Sequence, residues 1–106
     1  MSTWSLQGKK ALITGGSKGI GLAIVEEFVH LGAEVIIVAR NERDLSGVVQ
    51  MLSQRGFVVD GIAGDVSSEK FRTELISSLS TKWSRLDILV NNVGTNIRKK
   101  FVEYEE

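Results

Sequence analysis

The sequence has 106 residues, of which 42% are hydrophobic and 25% charged, as expected for one soluble globular domain. Thirteen basic and thirteen acidic side chains cancel, which disfavours a nucleic-acid partner or an anionic membrane surface, and the absence of cysteine excludes disulfides and thiolate chemistry. The amino terminus lacks the apolar stretch of a secretory signal, and the longest apolar run is far shorter than the ~20 residues of a membrane span, so we expect a cytoplasmic protein.

Short apolar runs alternate along the chain with stretches in which apolar residues recur every three or four positions. In chain order these patterns predict a strand at 10–14, a helix at 20–31, a strand at 34–39, a helix at 42–54 with Asn41 as N-cap, a strand at 57–63, a helix opened by Ser67 or Ser68, and a strand at 86–90. In the third helix, one face is predicted to carry Phe71, Leu75, Leu79 and Trp83.

Strict alternation of strands and helices predicts an α/β fold with a parallel sheet and right-handed crossovers. If the third connection brings strand four beside strand one, the strand order is 3-2-1-4 and helices cover both faces in a three-layer α/β/α sandwich. This Rossmann-like arrangement has a switch point between strands one and four, where open α/β sheets bind ligands. We expect residues 1–106 to form one domain of this kind.

The stretch TGGSKGIG, residues 14–21, lies between the first strand and the first helix. Gly15 permits a tight turn, Gly19 lacks the Cβ that would keep a pyrophosphate away, and Gly21 allows close packing of the helix on the sheet. The spacing differs from both the common dinucleotide fingerprint and the P-loop, and a tight turn without a ligand is the alternative. In this β-α-β setting the loop favours a phosphate site at the start of the helix.

The end of strand two predicts which dinucleotide would bind. An NAD site places Asp or Glu there to bind the ribose 2′-hydroxyl, whereas this chain has Arg40. An arginine fork suits a 2′-phosphate, and Lys18 in the glycine loop is a second cation within reach. Each could be a solvated surface charge, but together they favour NADP(H).

Polar residues also follow the third and fourth strands. Asp65 could accept a hydrogen bond from an adenine amino group or could serve as a cap for the next helix. Asn91 and Asn92, next to Gly94, could form a turn, but at the switch point we interpret them as polar contacts beside the cofactor ribose. His30 is the sole histidine and is expected near the end of the first helix in a solvated or dipole-compensating role, and we predict no metal site.

These residues together resemble the short-chain dehydrogenase/reductase family, within it the tropinone reductase-like branch. The strings TGGSKGIG, GDV and NNVG are similar to its glycine loop, adenine-side Asp-Val and post-strand-four motifs, and the similarity runs from Trp4 to the end. The resemblance implies that an NADP(H) site is lined by Ser17, Lys18, Ile20, Arg40, Asp65, Val66 and Asn92. It departs at Val93, where the family usually has Ala.

The resemblance also implies a longer fold, of which this chain would be the truncated, cofactor-binding part. The family's Ser and Tyr-x-x-x-Lys would lie further on, and the one tyrosine, Tyr104, is followed by two glutamates, so no catalytic residue is assigned. The expected function is hydride transfer between nicotinamide and a small carbonyl or alcohol substrate; the alternative is a non-catalytic nucleotide-binding or interaction module. Because strand four would lack an outer neighbour, we expect self-association or a homo-oligomer.

Overall fold

In the computed structural model, which describes residues 5–92, four parallel strands form one sheet with three helices packed on it. The elements in chain order are β1 (Lys10–Thr14), α1 (Gly19–His30), β2 (Glu34–Ala39), α2 (Glu42–Gln54), β3 (Val59–Ala63), α3 (Glu69–Lys82) and β4 (Ile88–Asn91). The strand order is β3-β2-β1-β4, which confirms the predicted topology and puts the switch point between β1 and β4.

The two central strands are buried on both faces, as their unbroken apolar sequences predict. Alternate side chains point to opposite sides of the sheet, so Ile13 and Ile37 face α1 and α2, whereas Leu12 and Ile36 face α3. Each of these four side chains is at most 1% exposed. The helices therefore divide two to one over the sheet and form the predicted three layers.

The apolar face predicted for α3 is confirmed, because Leu75, Leu79 and Trp83 are buried against the sheet and Phe71 packs beside them. Two helices also begin as the sequence predicts. The Asn41 side chain accepts a hydrogen bond from the Asp44 N–H at 3.0 Å at the start of α2, and Ser68 accepts one from the Phe71 N–H at 3.2 Å at the start of α3.

The outer strands differ from their predicted bounds. β3 begins at Val59, not at residue 57, and the Phe57 ring packs edge-on against His30 with ring centroids 4.9 Å apart. β4 begins at Ile88, not at residue 86, because its pairing with β1 starts at Ala11 opposite Ile88. In both places, contacts with a neighbouring element determine where the strand begins. The local sequence pattern does not predict these contacts.

Within residues 5–92, no helix combines the length and the apolar character that a membrane crossing requires.

Candidate functional site

The glycine loop leaves β1 at the carboxyl end of the sheet. Gly15 has a φ of 70° and its N–H donates to the Val38 carbonyl at 2.7 Å, which fixes the loop on β2. Gly19 has a φ of 62°, and a Cβ there would meet no atom within 4 Å, so its outer side is open. A Cβ on Gly21 would lie 2.0 Å from the Gly15 carbonyl oxygen, so the first turn of α1 and the loop are in direct backbone contact. The tight turn expected at Gly15 is thus present, and the close contact at Gly21 is made with the loop rather than with the strands of the sheet.

The end of β4 is joined to this loop through a buried hydroxyl. Thr14 is fully buried, and its Oγ1 accepts a hydrogen bond from the Asn92 N–H at 3.0 Å and donates towards Asn91 Oδ1 at 3.2 Å. The Asn92 side chain in turn donates from Nδ2 to the Gly15 carbonyl at 3.3 Å. The two asparagines therefore hold β4 against the loop, and Asn92 lies close to Gly15 as expected of residues at the switch point. Asn91 is the last residue of β4, and a turn after Asn92 would lie outside the described residues.

The first helix begins differently from the other two. α2 and α3 each have a side-chain cap and at least one acidic residue in the first turn, whereas α1 has no side-chain cap and no acidic residue there. At the start of α1, therefore, no anionic side chain of the same helix lies near the backbone N–H groups or the positive end of the helix dipole. This is the chemistry of an anion site at a helix start.

A pocket of about 360 Å³ lies beside the loop, beyond the carboxyl ends of β1, β2 and β3. It brings together six of the sequence-predicted residues: Gly15, Ser17, Lys18, Arg40, Asp65 and Val66. Five further residues, which the sequence did not predict for the site, complete its lining: Val38, Ala39, Asn41, Gly64 and Ser67. Val38 and Ala39 are the last residues of β2, and the other three follow the ends of β2 and β3, next to Arg40 and Asp65; this position is the signal that could have identified them.

Gly64 has a packing reason to lack a side chain, since a Cβ there would lie 2.0 Å from the Phe71 ring of α3. Thr14 was also missed as a site residue. Its signal was a polar side chain at the buried end of an apolar strand, directly before the glycines.

Asp65 is held in a local turn and faces a positive charge. Its Oδ1 accepts hydrogen bonds from the Ser67 hydroxyl at 2.7 Å and from the Ser67 N–H at 3.0 Å. The Ser67 hydroxyl, then the Ser67 N–H and more weakly the charge of Arg40 hold the pKa of Asp65 below its ordinary value. The carboxylate is therefore ionised at neutral pH. Asp65 both stabilises the turn before α3 and lines the pocket.

The remaining predicted residues are not part of the pocket lining. Gly19, Ile20 and Gly21 lie in the loop and first turn of α1, and the Ile20 residue is 75% exposed. Asn91 and Asn92 lie on the β4 side of the loop, and Gly94 is outside the described residues. His30 lies in the last turn of α1, away from the pocket. Within residues 5–92, no three His, Asp or Glu side chains come together in a group that could hold a metal ion.

The parallel sheet, its β3-β2-β1-β4 order and the glycine loop at the switch point define a Rossmann-like α/β architecture. The family model described as short chain dehydrogenase matches residues 9–106, and the chain belongs to that family, in its tropinone reductase-like branch. It is 51% identical over 102 residues to a chloroplastic tropinone reductase homolog of Arabidopsis thaliana, a match covering 95% of this chain and 32% of the relative. A tropinone reductase homolog of Datura stramonium is 43% identical, with 95% of this chain and 38% of the relative covered.

Solved structures agree with this assignment. The L-sorbose reductase of Gluconobacter frateurii, complexed with NADPH and L-sorbose, superposes with a TM-score of 0.82 at 38% identity, covering 89% of this chain and 36% of that one. The NADP active-site complex of Pseudomonas aeruginosa RhlG superposes with a TM-score of 0.79 at 39% identity, covering 94% and 40%. The chain thus spans about a third to two fifths of the length of these relatives. Self-association and the cytoplasmic location stay predictions.

Proposed function

We propose that this chain is the NADP(H)-binding part of a short-chain oxidoreductase that acts on a small carbonyl or alcohol substrate. A bound nicotinamide dinucleotide supplies or accepts a hydride, and the protein binds and orients it. The family membership and the NADPH- and NADP-bound structural relatives support a nicotinamide cofactor.

The observation that carries the choice of NADP(H) is the pair of cations in the pocket. Lys18 comes from the glycine loop and Arg40 from the end of β2, yet both line one pocket at the carboxyl end of the sheet. No acidic residue occupies the position after β2 that would bind a ribose 2′-hydroxyl in an NAD site. A 2′-phosphate would meet a guanidinium and an ammonium there, and charge-assisted hydrogen bonds to phosphate are stronger than neutral ones.

The start of α1 fits the pyrophosphate. The open side of Gly19 leaves room for a phosphate to approach the backbone, and the uncapped N–H groups of the first turn provide donors. Gly21 keeps this turn pressed against the Gly15 carbonyl, so the donors stay in place. A side chain at Gly19 would occupy the space through which the phosphate approaches, and one at Gly21 would push the helix away from the loop.

Asp65 fits the adenine. Asp65 lines the pocket, and Ser67 occupies its Oδ1, so we assign its second carboxylate oxygen as the acceptor for an exocyclic amino group. We also assign Val66 and Ile20 to apolar contacts with the dinucleotide, and Asn91, Asn92 and Gly94 to the ribose side of the site.

We assign binding and orientation to these 106 residues, and no proton transfer, because the sequence contains no Tyr-x-x-x-Lys pair. The alternative, a nucleotide-binding module without chemistry, predicts the same binding. We expect residues 1–106 to give no NADPH oxidation above the buffer rate with a panel of small ketones. A rate above that background, from protein free of host reductases, would show catalysis within this chain.

The test of the cofactor is Arg40→Asp, with binding of NADPH and NADH measured by fluorescence titration. The variant should lose about 1.5–3 kcal/mol of NADPH binding, because a charge-assisted contact is replaced by repulsion, while NADH binding holds or improves. The matched control is Arg43→Asp, the same charge change three residues further along the chain, in the first turn of α2 and outside the pocket lining. Equal preference for the two cofactors in the unmodified chain and in both variants would disprove the NADP(H) assignment.

A further inference from the structure

Lys18 contacts an acidic residue from a different helix. Its Nζ lies 3.6 Å from Oδ2 of Asp44, which is in the first turn of α2. Lys18 lines the pocket together with Arg40, whereas Asp44 stands just outside the lining. The carboxylate therefore lies next to one of the two cations that the proposed function assigns to the 2′-phosphate.

This ion pair contributes little to holding the fold together. The Lys18 side chain is 79% exposed and that of Asp44 is 41% exposed, and ion pairs in such surroundings are screened by water and salt. The start of α2 is already capped by Asn41, which accepts from the backbone N–H of Asp44, so this contact leaves the Asp44 carboxylate for Lys18. The consequence of the pair lies at the mouth of the pocket.

We propose that Asp44 is a specificity-determining residue that weakens the preference of this pocket for a 2′-phosphate. This rests on the proposed NADP(H) function. The carboxylate competes with the phosphate for Lys18, and its negative charge opposes the arrival of a dianion beside Arg40. The two cations alone would bind the phosphate more tightly; with Asp44 present, the site still selects the phosphorylated cofactor but releases it more readily.

The same turn of α2 offers a matched control. Glu42 carries the same charge as Asp44 and lies two positions earlier, but it lines a separate cavity between α2 and β3, with Asp60 and Gly61. Both acids complement the dipole at the start of α2, so neutralising either should affect the helix to a similar degree. A difference between Asp44→Asn and Glu42→Gln in ligand binding therefore reports on the pocket.

The experiment measures binding of adenosine 2′,5′-bisphosphate and of adenosine 5′-monophosphate to the full 106-residue chain by calorimetry. At 0.1 M salt, where charges act over about 10 Å, Asp44→Asn should bind the bisphosphate about threefold to tenfold more tightly than the unmodified chain. Its affinity for the monophosphate should change less than about twofold, and Glu42→Gln should leave both affinities within about twofold. At 1 M salt, where charges act over about 3 Å, the gain of Asp44→Asn should largely vanish.

Asp44→Ser provides a second way to remove the charge and should give the same gain. In a chain that already carries Lys18→Met, adding Asp44→Asn should increase bisphosphate affinity less than it does in the unmodified chain. Part of the increase comes from freeing Lys18, and the Lys18→Met chain has no ammonium to free. Equal bisphosphate affinities for the unmodified chain, Asp44→Asn and Asp44→Ser would overturn the inference while leaving the cofactor assignment intact. If the unmodified chain binds the bisphosphate no better than the monophosphate, the NADP(H) assignment and this inference are both wrong.

Discussion

The two ends of the sheet carry the same kinds of charged residues in different arrangements. At the amino ends of the strands the charges pair with one another: Lys10 with Glu34, and Arg85 with Asp87. Asp87 also accepts the Lys10 N–H at 2.8 Å, and Arg85 donates to the Gly8 carbonyl at 2.9 Å. These contacts join β4 to β1 and to the turn that precedes β1.

At the carboxyl ends, Lys18 and Arg40 line a pocket, and the backbone N–H groups at the start of α1 have no side-chain cap. The one acid in that lining, Asp65, is held by Ser67. Residue type alone therefore does not mark a site. At the amino end, charges that pair with one another join strands. At the carboxyl end, the loops of the parallel sheet build a pocket, where Arg40 and Lys18 can meet a ligand even though Lys18 also lies 3.6 Å from the exposed carboxylate of Asp44.

The largest expected effect of a substitution on stability is at Gly21, where the loop and α1 touch. Gly21→Ala would place a Cβ 2.0 Å from the Gly15 oxygen and 2.8 Å from Asn92 Nδ2, so we expect a loss of about 3 kcal/mol in the free energy of unfolding, measured with urea. The control is Gly47→Ala on the exposed side of α2, where a Cβ meets nothing within 4 Å. That variant should gain about 0.5–1 kcal/mol, because alanine favours the helix. Effects of the same sign at the two glycines would contradict the close contact.

A smaller effect is expected at Thr14, which links β4 to the loop. Thr14→Val keeps the shape but removes the acceptor of the Asn92 N–H, and we expect a loss of about 1–3 kcal/mol in the free energy of unfolding. The Asn92 amide should also exchange its hydrogen faster than in the unmodified chain. The control is Thr73→Val on the exposed side of α3, which should change the free energy of unfolding by no more than about 0.5 kcal/mol. Unchanged exchange at Asn92 would show that the hydroxyl does not hold β4.

The smallest effect concerns the amino end and is seen through pH. The Lys10 N–H, and after it Arg85, hold the pKa of Asp87 below its ordinary value of 3.8. The folded state therefore favours the ionised form, and the resulting stability is present above pH 3.8 and is lost as the pH falls through and below that value. The difference in free energy of unfolding between the unmodified chain and Asp87→Asn should be constant above about pH 6 and shrink in acid.

Arg85→Gln separates the contribution of Arg85 to the lowered pKa of Asp87 from that of the Lys10 N–H. It keeps the Lys10 N–H, which is the largest single cause, so this variant should retain most of the acid dependence that Asp87→Asn loses. Urea unfolding between pH 3 and pH 7, read by tryptophan fluorescence, measures both variants. An Arg85→Gln chain with the pH profile of Asp87→Asn would show that the guanidinium is the main partner of the carboxylate.

Much of the fold follows from local pattern. The bounds of β1, β2 and α2 are as predicted, since these segments have either an unbroken apolar run or a capped amphipathic repeat. β3 is shorter than predicted, because Phe57 packs beside His30 instead of joining the strand. β4 begins later than predicted, because Asp87 accepts the Lys10 N–H before the strand starts. Those contacts join residues distant in the chain, and a local pattern carries no signal for them.

Three features follow from local sequence: the alternation of strands and helices, the glycine loop before α1, and Arg40 instead of an acid directly after β2. Each of these depends on neighbouring residues, through side-chain periodicity, backbone freedom or the residue type at one position. Folding, by contrast, brings Lys18, Arg40 and Asp65 into one pocket and places Asp44 beside Lys18. Parallel pairing made this possible, because it places the carboxyl ends of β1, β2 and β3 side by side and brings together loops that lie about twenty-five residues apart in the chain.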